Sequence, residues 1–235
     1  MKGKLIRKLS FVAVALISSG YAPAVTGAEE SAGITSVEEV KAIKADFETS
    51  VVGSVPNGWS MAMTGSGKGS NWKIVEDNTS PSGSKVLAQT VDNSGSTFNL
   101  CVADTPRFKD VEVSVAFKAV RGKKDQGGGV VWRYKDDKNY YIARFNPLED
   151  NYRLYKVVDG KRLQLTTKER LKAPADKWHT LTIQMKSDVI VCLLNGTKHL
   201  EANDTVFDKV GKVGLWTKAD AQTYFDGFQA KELAK

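Results

Sequence analysis

Three observations predict an all-β fold built as an antiparallel sandwich of two sheets. Short runs rich in Val, Ile, Tyr, Phe and Trp alternate apolar with polar residues, as half-buried strands do. Turn formers such as Pro56-Asn57-Gly58, Asp159-Gly160 and Asn195-Gly196 divide these runs at regular spacing. No stretch sustains helical periodicity beyond a few turns, which leaves sheet packed on sheet as the way to bury the apolar faces.

Residues 1–28 read as a secretory signal peptide. Lys2, Lys4, Arg7 and Lys8 form a positive start, residues 11–17 an apolar core, and small residues lead to a cut after Ala28. The apolar run is well short of the roughly 20 residues that a membrane span needs, so an exported protein, periplasmic or secreted, is expected. Four positive charges and no acid fall in this leader, so the formal +7 drops to +3 for the remainder. That balance, with no reading motif, is too mild to argue for nucleic acid, and no nucleic-acid partner is expected. Residues 29–45 read as a linker or short helix, with Val37, Val40 and Ile43 at helical spacing. The sandwich is expected over 46–233, about 190 residues and within the size of one all-β domain.

Within it, 46–59 reads as a strand running into the Pro-Asn-Gly turn, and 64–70 (TGSGKGS) as a glycine-rich loop. Such a loop cradles phosphate where it joins a strand to a helix, and no βαβ setting surrounds it. Residues 71–77 and 85–91 read as strands, and FNLCVAD, 98–104, as another. Val111, Val113, Val115 and Phe117 mark one side of a long half-buried strand over 108–119. Residues 178–186 and 189–194 form a hairpin, and Asn195-Gly196 turns the chain into 197–202. Residues 213–217 and 223–233 supply the last two strands. Cys101 and Cys192 lie in strand runs of an exported protein, where a disulfide is permitted; the reading preferred is two small buried apolar thiols.

The stretch 127–166 organises the rest. It reads as four strands joined by turns at 135–138, 147–150 and 159–160, and the period-two rule then separates two faces. Val130, Trp132, Tyr134, Tyr141, Ala143, Phe145, Tyr152 and Leu154 share an apolar face. The other collects Arg133, Tyr140, Ile142, Arg144, Asn146, Asn151, Arg153, Tyr155, Arg162, Gln164 and Thr166. Arg144 falls opposite Arg153, and like charges so placed repel; the pair asks for a carboxylate, water or ligand between them.

The opening DFE with its following GW, the runs NWKIVED and VLAQ, FKDVEVSVAFK, the 127–165 block, KWHTLTI with a later LNG, and the closing YFDGF together carry a resemblance. They resemble a bacterial concanavalin A-like, laminin-G-like jelly-roll group that includes 3-keto-disaccharide hydrolase-like and family 16 glycoside-hydrolase-like proteins. The resemblance covers 46–233. It implies a curved sandwich whose concave sheet holds carbohydrate. The Glu-x-Asp-x-x-Glu run of family 16 retaining glycosidases is absent from this chain.

A saccharide site needs flat aromatic area and convergent donors. Tyr140 and Tyr155 are the candidate platforms; Arg133, Arg144, Asn146, Asn151, Arg153 and Gln164 are the candidate donors. The arginines favour a hydroxyl-rich or acidic sugar. Glu149 and Asp150 are the candidate acid and base of a glycoside hydrolase or lyase. The resemblance also implies a structural calcium where first and last strands meet, with Asp46, Glu48 and Asp226 as hard oxygen donors. With only His179 and His199, neither a triad nor a zinc site is expected. Three readings follow: a carbohydrate-binding domain, a hydrolase or lyase on a (3-keto-)glycoside, and a structural or interaction domain of the envelope.

Overall fold

A computed structural model describes residues 41–234; the expected signal peptide lies outside these residues, as does all of the expected linker but its last five positions. Fifteen strands follow in order: β1 (Ala42–Ala45), β2 (Trp59–Thr64), β3 (Trp72–Glu76), β4 (Lys85–Gln89), β5 (Phe98–Ala103), β6 (Val111–Arg121), β7 (Gly128–Asp136), β8 (Asn139–Asn146), β9 (Asn151–Val158), β10 (Lys161–Glu169), β11 (Trp178–Lys186), β12 (Val189–Leu194), β13 (Thr197–Asn203), β14 (Lys212–Lys218) and β15 (Gln222–Glu232). No helix occurs among the described residues.

The strands form two antiparallel sheets. The first runs β13-β12-β11-β6-β15-β4-β3, with β1 added on β15; the second runs β10-β9-β8-β7-β14-β5-β2. β15 is long enough to hold two neighbours along one edge. Tyr224 and Phe225 pair with β4, and Phe228 to Lys231 with β1. Gly227, at φ 57°, takes up the irregularity between them.

Alternation works as expected in most strands. Val113, Val115 and Phe117 of β6, Leu181 and Ile183 of β11, and Phe225 and Phe228 of β15 point between the sheets. They meet Val130, Trp132, Tyr141, Ala143, Phe145, Tyr152, Leu154 and Leu215 from the second sheet. Trp132 Nε1 donates across the layers to Met185 Sδ at 3.1 Å, so even the indole N–H is satisfied. Cys101 and Cys192 are buried free thiols in this core. Asp159-Gly160 and Asn195-Gly196 both carry positive φ at the two central residues, the geometry that two-residue hairpins need.

Three expectations are corrected. The end of the expected linker is strand β1, so the sandwich begins ahead of Asp46. The span 46–58 is irregular apart from a single bridge, Val52 to Ile74, and the strand begins only at Trp59. Tyr134 leaves the interlayer face. Arg133 sits at φ 43° where the β7–β8 register shifts, and the irregularity reverses the alternation beyond it. Tyr134 consequently stacks on Tyr140, 5.9 Å between centroids, on the opposite side of the sheet.

Candidate functional site

The second sheet is apolar on both faces. Turned away from the main core, it carries its own apolar cluster of Phe98, Leu100, Val102, Val131, Tyr140, Ile142, Tyr155, Val157 and Trp216. Its central cross-strand row reads Leu100, Trp216, Gly129, Arg144, Arg153 and Thr167, each directly opposite the next. A glycine in this row is a packing requirement: a Cβ on Gly129 would lie 2.5 Å from the Ala143 carbonyl oxygen and 2.9 Å from Arg144 Cβ.

This face is strongly concave. Arg162 of β10 places its guanidinium carbon 5.1 Å from the ring centre of Phe98 on β5. Those strands are five spacings apart in the sheet order, about 24 Å on a flat sheet. The sheet has therefore curled until its two sides meet. The turns confirm it: a Cβ on Gly160, between β9 and β10, would lie 3.9 Å from Thr64 at the end of β2. Thr64 Oγ1 bonds the Tyr140 hydroxyl at 2.8 Å and also reaches the Asp137 carbonyl.

One end of the trough is closed and aromatic. Arg162 lies over the rings of Tyr155, Phe98 and Trp216, at 4.4, 5.1 and 6.0 Å. Tyr140 is fully buried and Tyr155 nearly so beneath Arg162. Neither presents an open ring, so the expected role of Tyr140 and Tyr155 as sugar-stacking platforms is corrected: Tyr155 lies under Arg162, and Tyr140 stacks on Tyr134 and bonds Thr64.

The other end is charged. Arg144, 1% exposed, donates through Nη1 to Asn151 Oδ1 (3.1 Å) and through Nη2 to Glu149 Oε2 (2.9 Å). Asn151 Nδ2 donates to that same oxygen at 3.0 Å, and Arg153 Nη1 lies 3.4 Å from it. Arg153 also reaches Glu169, 3.2 Å away. Burial pushes the Glu149 carboxyl up, but Asn151, Arg144 and Arg153 outweigh it and draw it down to about 2.

A second carboxylate behaves in the opposite way. Asp125, in the β6–β7 connection, is fully buried; Asn146 Nδ2 donates to its Oδ1 at 3.2 Å and Lys218 Nζ lies 3.6 Å from its Oδ2. Burial raises its carboxyl above the ordinary range, against the pull of Arg144 and Lys218. Asp220 positions it by accepting the backbone N–H groups of Lys123, Lys124 and Asp125. The trough thus holds one carboxylate fixed as an anion and one pushed towards its protonated form.

Four buried polar atoms of this region lack a hydrogen-bond partner among the described residues: Arg144 Nε, Arg162 Nη1, Trp216 Nε1 and Asp125 Oδ2. Buried polar groups are normally paired. Trp72 Nε1, Asp77 Oδ2 and Gln89 Oε1, in and beside β3 and β4 of the first sheet, also lack a hydrogen-bond partner among the described residues. It is therefore the convergence of the four with the arginines and carboxylates of this face that marks it as the candidate site.

Of the residues the sequence proposed, Arg144, Asn146, Asn151 and Arg153 come together here with Glu149, and Gln164 is exposed further along the same face. Arg133 does not. The irregularity that moves Tyr134 turns Arg133 to the sandwich edge, where it donates to the carbonyls of Lys109 (2.9 Å), Phe207 (2.7 Å) and Ser187 (2.7 Å) and pairs with Asp110. Thr166 is displaced too: a shift between Gln164 and Thr166 puts it opposite Leu154 and brings Thr167 onto the trough side. Asp150, at φ 49°, points elsewhere and pairs with Lys172, so Glu149 and Asp150 form no catalytic pair.

Asp46, Glu48 and Asp226 do not converge as metal ligands, and no group of three His, Cys, Asp or Glu suited to a metal occurs among the described residues. Asp226 accepts Ser80 Oγ, Ser82 N, Ser82 Oγ and Gly227 N, and Glu48 accepts the N–H groups of Ser84 and Lys85. Both therefore staple the same loop. Asp125, Lys218 and Trp216 escaped the sequence reading, because only the fold brings residues 93 positions apart together at Asp125 and Lys218.

A family model described as the 3-keto-alpha-glucoside-1,2-lyase-like domain matches residues 46–231. No curated protein matches the chain. Among solved structures, the carbohydrate-binding module CBM66 from Bacillus subtilis is similar over 73% of this chain and 94% of that one, at 19% identity and TM-score 0.59. A β-glucanase from Bacillus licheniformis is similar over 82% and 98%, at 12% identity and TM-score 0.54. A family 16 endo-glucanase from Bacteroides ovatus is similar over 80% and 98%, at 10% identity and TM-score 0.55. At these identities the likeness establishes the fold, a jelly-roll β-sandwich.

Proposed function

Because the chain belongs to the 3-keto-alpha-glucoside-1,2-lyase-like family, we propose that it is an exported protein that binds a saccharide in the trough of its second sheet, at the end lined by Arg144, Arg153 and Asn151. The observation that carries this reading is the set of buried donors and acceptors without partners along the trough, Arg144 Nε and Asp125 Oδ2 among them. A hydroxyl-rich ligand supplies both kinds of partner at once. Fold likeness to a carbohydrate-binding module and to two glucanases supports a sugar as the ligand class without fixing which.

Titration of the purified protein with a panel of glucosides and 3-keto-glucosides, with Arg144→Ala alongside, tests it. Saturable binding lost in the variant is expected; an unchanged isotherm in Arg144→Ala would move the site elsewhere. Export is tested by sequencing the N-terminus of the secreted protein, which should begin at Glu29.

A second reading, turnover of a 3-keto-glycoside, is favoured by the two carboxylates with opposite charge preference, an arrangement typical of acid–base sites. In it Asp125 donates a proton to the departing glycosidic oxygen, which requires a carboxyl held towards its protonated form. Water adds at the anomeric carbon, and the proton that water sheds returns to Asp125. Glu149 stays anionic and orients two arginines. Turnover of a 3-keto-α-glucoside that Asp125→Asn abolishes while binding persists is the expected result; full activity in that variant rejects the assignment.

A further inference from the structure

We propose that the saccharide bound in the trough carries a carboxylate, as a uronic-acid glycoside does, and that Arg162 Nη1 is its donor while Arg144 Nε, further along the trough, serves a hydroxyl of the same ligand; this rests on the saccharide reading of the same site. Arg144 spends Nη1 and Nη2 on Asn151 and Glu149, which leaves Nε buried and unpartnered among the described residues. Arg162 has aromatic rings against its guanidinium instead of a carboxylate: among the described residues it makes no ion pair, and its Nη1 is buried without a partner. Rings that cover a guanidinium face leave its N–H edge for a planar anion.

The local charge agrees. Arg144, Arg153, Arg162 and Lys218 bring four positive charges to this region, against Glu149, Glu169 and Asp125. Burial pushes Asp125 towards neutrality, so the cations are in excess. Burial disfavours the charge on Arg162, and the Arg144 guanidinium adds to this. A carboxylate received at Arg162 offsets that charge and fills its vacant donor. A neutral hydroxyl accepts the same bond without offsetting the charge.

The test compares methyl α-D-glucuronide with methyl α-D-glucoside on the full chain by calorimetry. The glucuronide is expected to bind about 10-fold tighter, the ratio of one charge-assisted hydrogen bond. Added salt should erode that preference and leave glucoside binding unchanged. Arg162→Met should abolish it, and Arg162→Lys, which keeps the stem and the charge, should lose most of it while remaining folded. Equal affinities, or a preference untouched in Arg162→Lys, overturn this inference and leave the saccharide reading standing. Binding of neither glycoside overturns both.

Discussion

Arg144 and Arg153 face each other across β8 and β9, and one oxygen, Glu149 Oε2, serves both, 2.9 Å from Arg144 Nη2 and 3.4 Å from Arg153 Nη1. The like-charged pair asked for a carboxylate, and the turn directly between the two strands provides it. Glu149→Gln leaves a buried guanidinium short of its counter-charge. The expected cost is about 1–2 kcal/mol, below that of a fully buried pair because water reaches Glu149 and screens it. Urea denaturation measures it; an unmoved midpoint would show that solvent serves the arginines equally well.

The same carboxylate sets an acid limit. Its folded-state pKa lies below its unfolded one, so its stabilisation is present above about 4.5 and is lost as pH falls towards about 2. The stability gap between the parent protein and Glu149→Gln should therefore close across that window. A gap constant from pH 6 to pH 2 contradicts the ion-pair account.

Asp125 runs the other way. Its pKa is raised on folding, chiefly by burial, so its contribution is present at low pH and is lost as pH rises through the folded value. Asp125→Asn resembles the protonated form and is expected to hold or raise the melting temperature at pH 7. A marked fall would mean that the ionised form pairing with Lys218 is the stable one.

Gly129→Ala places a methyl against the Ala143 carbonyl and the Arg144 side chain in the central row. Overpacking of this kind costs about 1–3 kcal/mol, and displacement of Arg144 should weaken saccharide binding as well. Stability and affinity measured on one preparation check both, and a variant with wild-type values for each refutes the close packing.

Arg133 ties Lys109, Phe207 and Ser187 together at the sandwich edge. Arg133→Ala strands three carbonyls and is expected to cost about 3 kcal/mol or more, with affinity for saccharide in the surviving folded fraction unchanged. Loss of binding at full stability would return Arg133 to the site.

The sequence was readable where a short turn fixes the register. The 147–150 turn aligns β8 with β9, so Arg144 opposite Arg153, and the greasy row of Tyr141, Ala143 and Phe145 behind them, could be counted off by twos. Counting failed at the irregularities. Arg133 at positive φ and the shift after Gln164 each insert a step that no residue type announces, and Tyr134 and Thr166 change sides as a result. β1 was unreadable for another reason: Ala-Ile-Lys-Ala is short and poor in β-branched residues, and its strand form comes from its partner β15. Asp125 with Lys218, and Arg162 with Phe98, meet only once the sheet curls, which is a property of the whole sheet and of no local run.

Because β1 occupies the far half of β15's margin, a clone trimmed to the 46–231 family boundaries would strip the amide and carbonyl groups of Phe228 to Lys231 of their mates. An uncapped ribbon of that kind recruits the matching ribbon of another molecule. Expression trials should therefore start upstream of Lys41, and trimmed protein that elutes as oligomers would be reporting a missing four-residue cover strand.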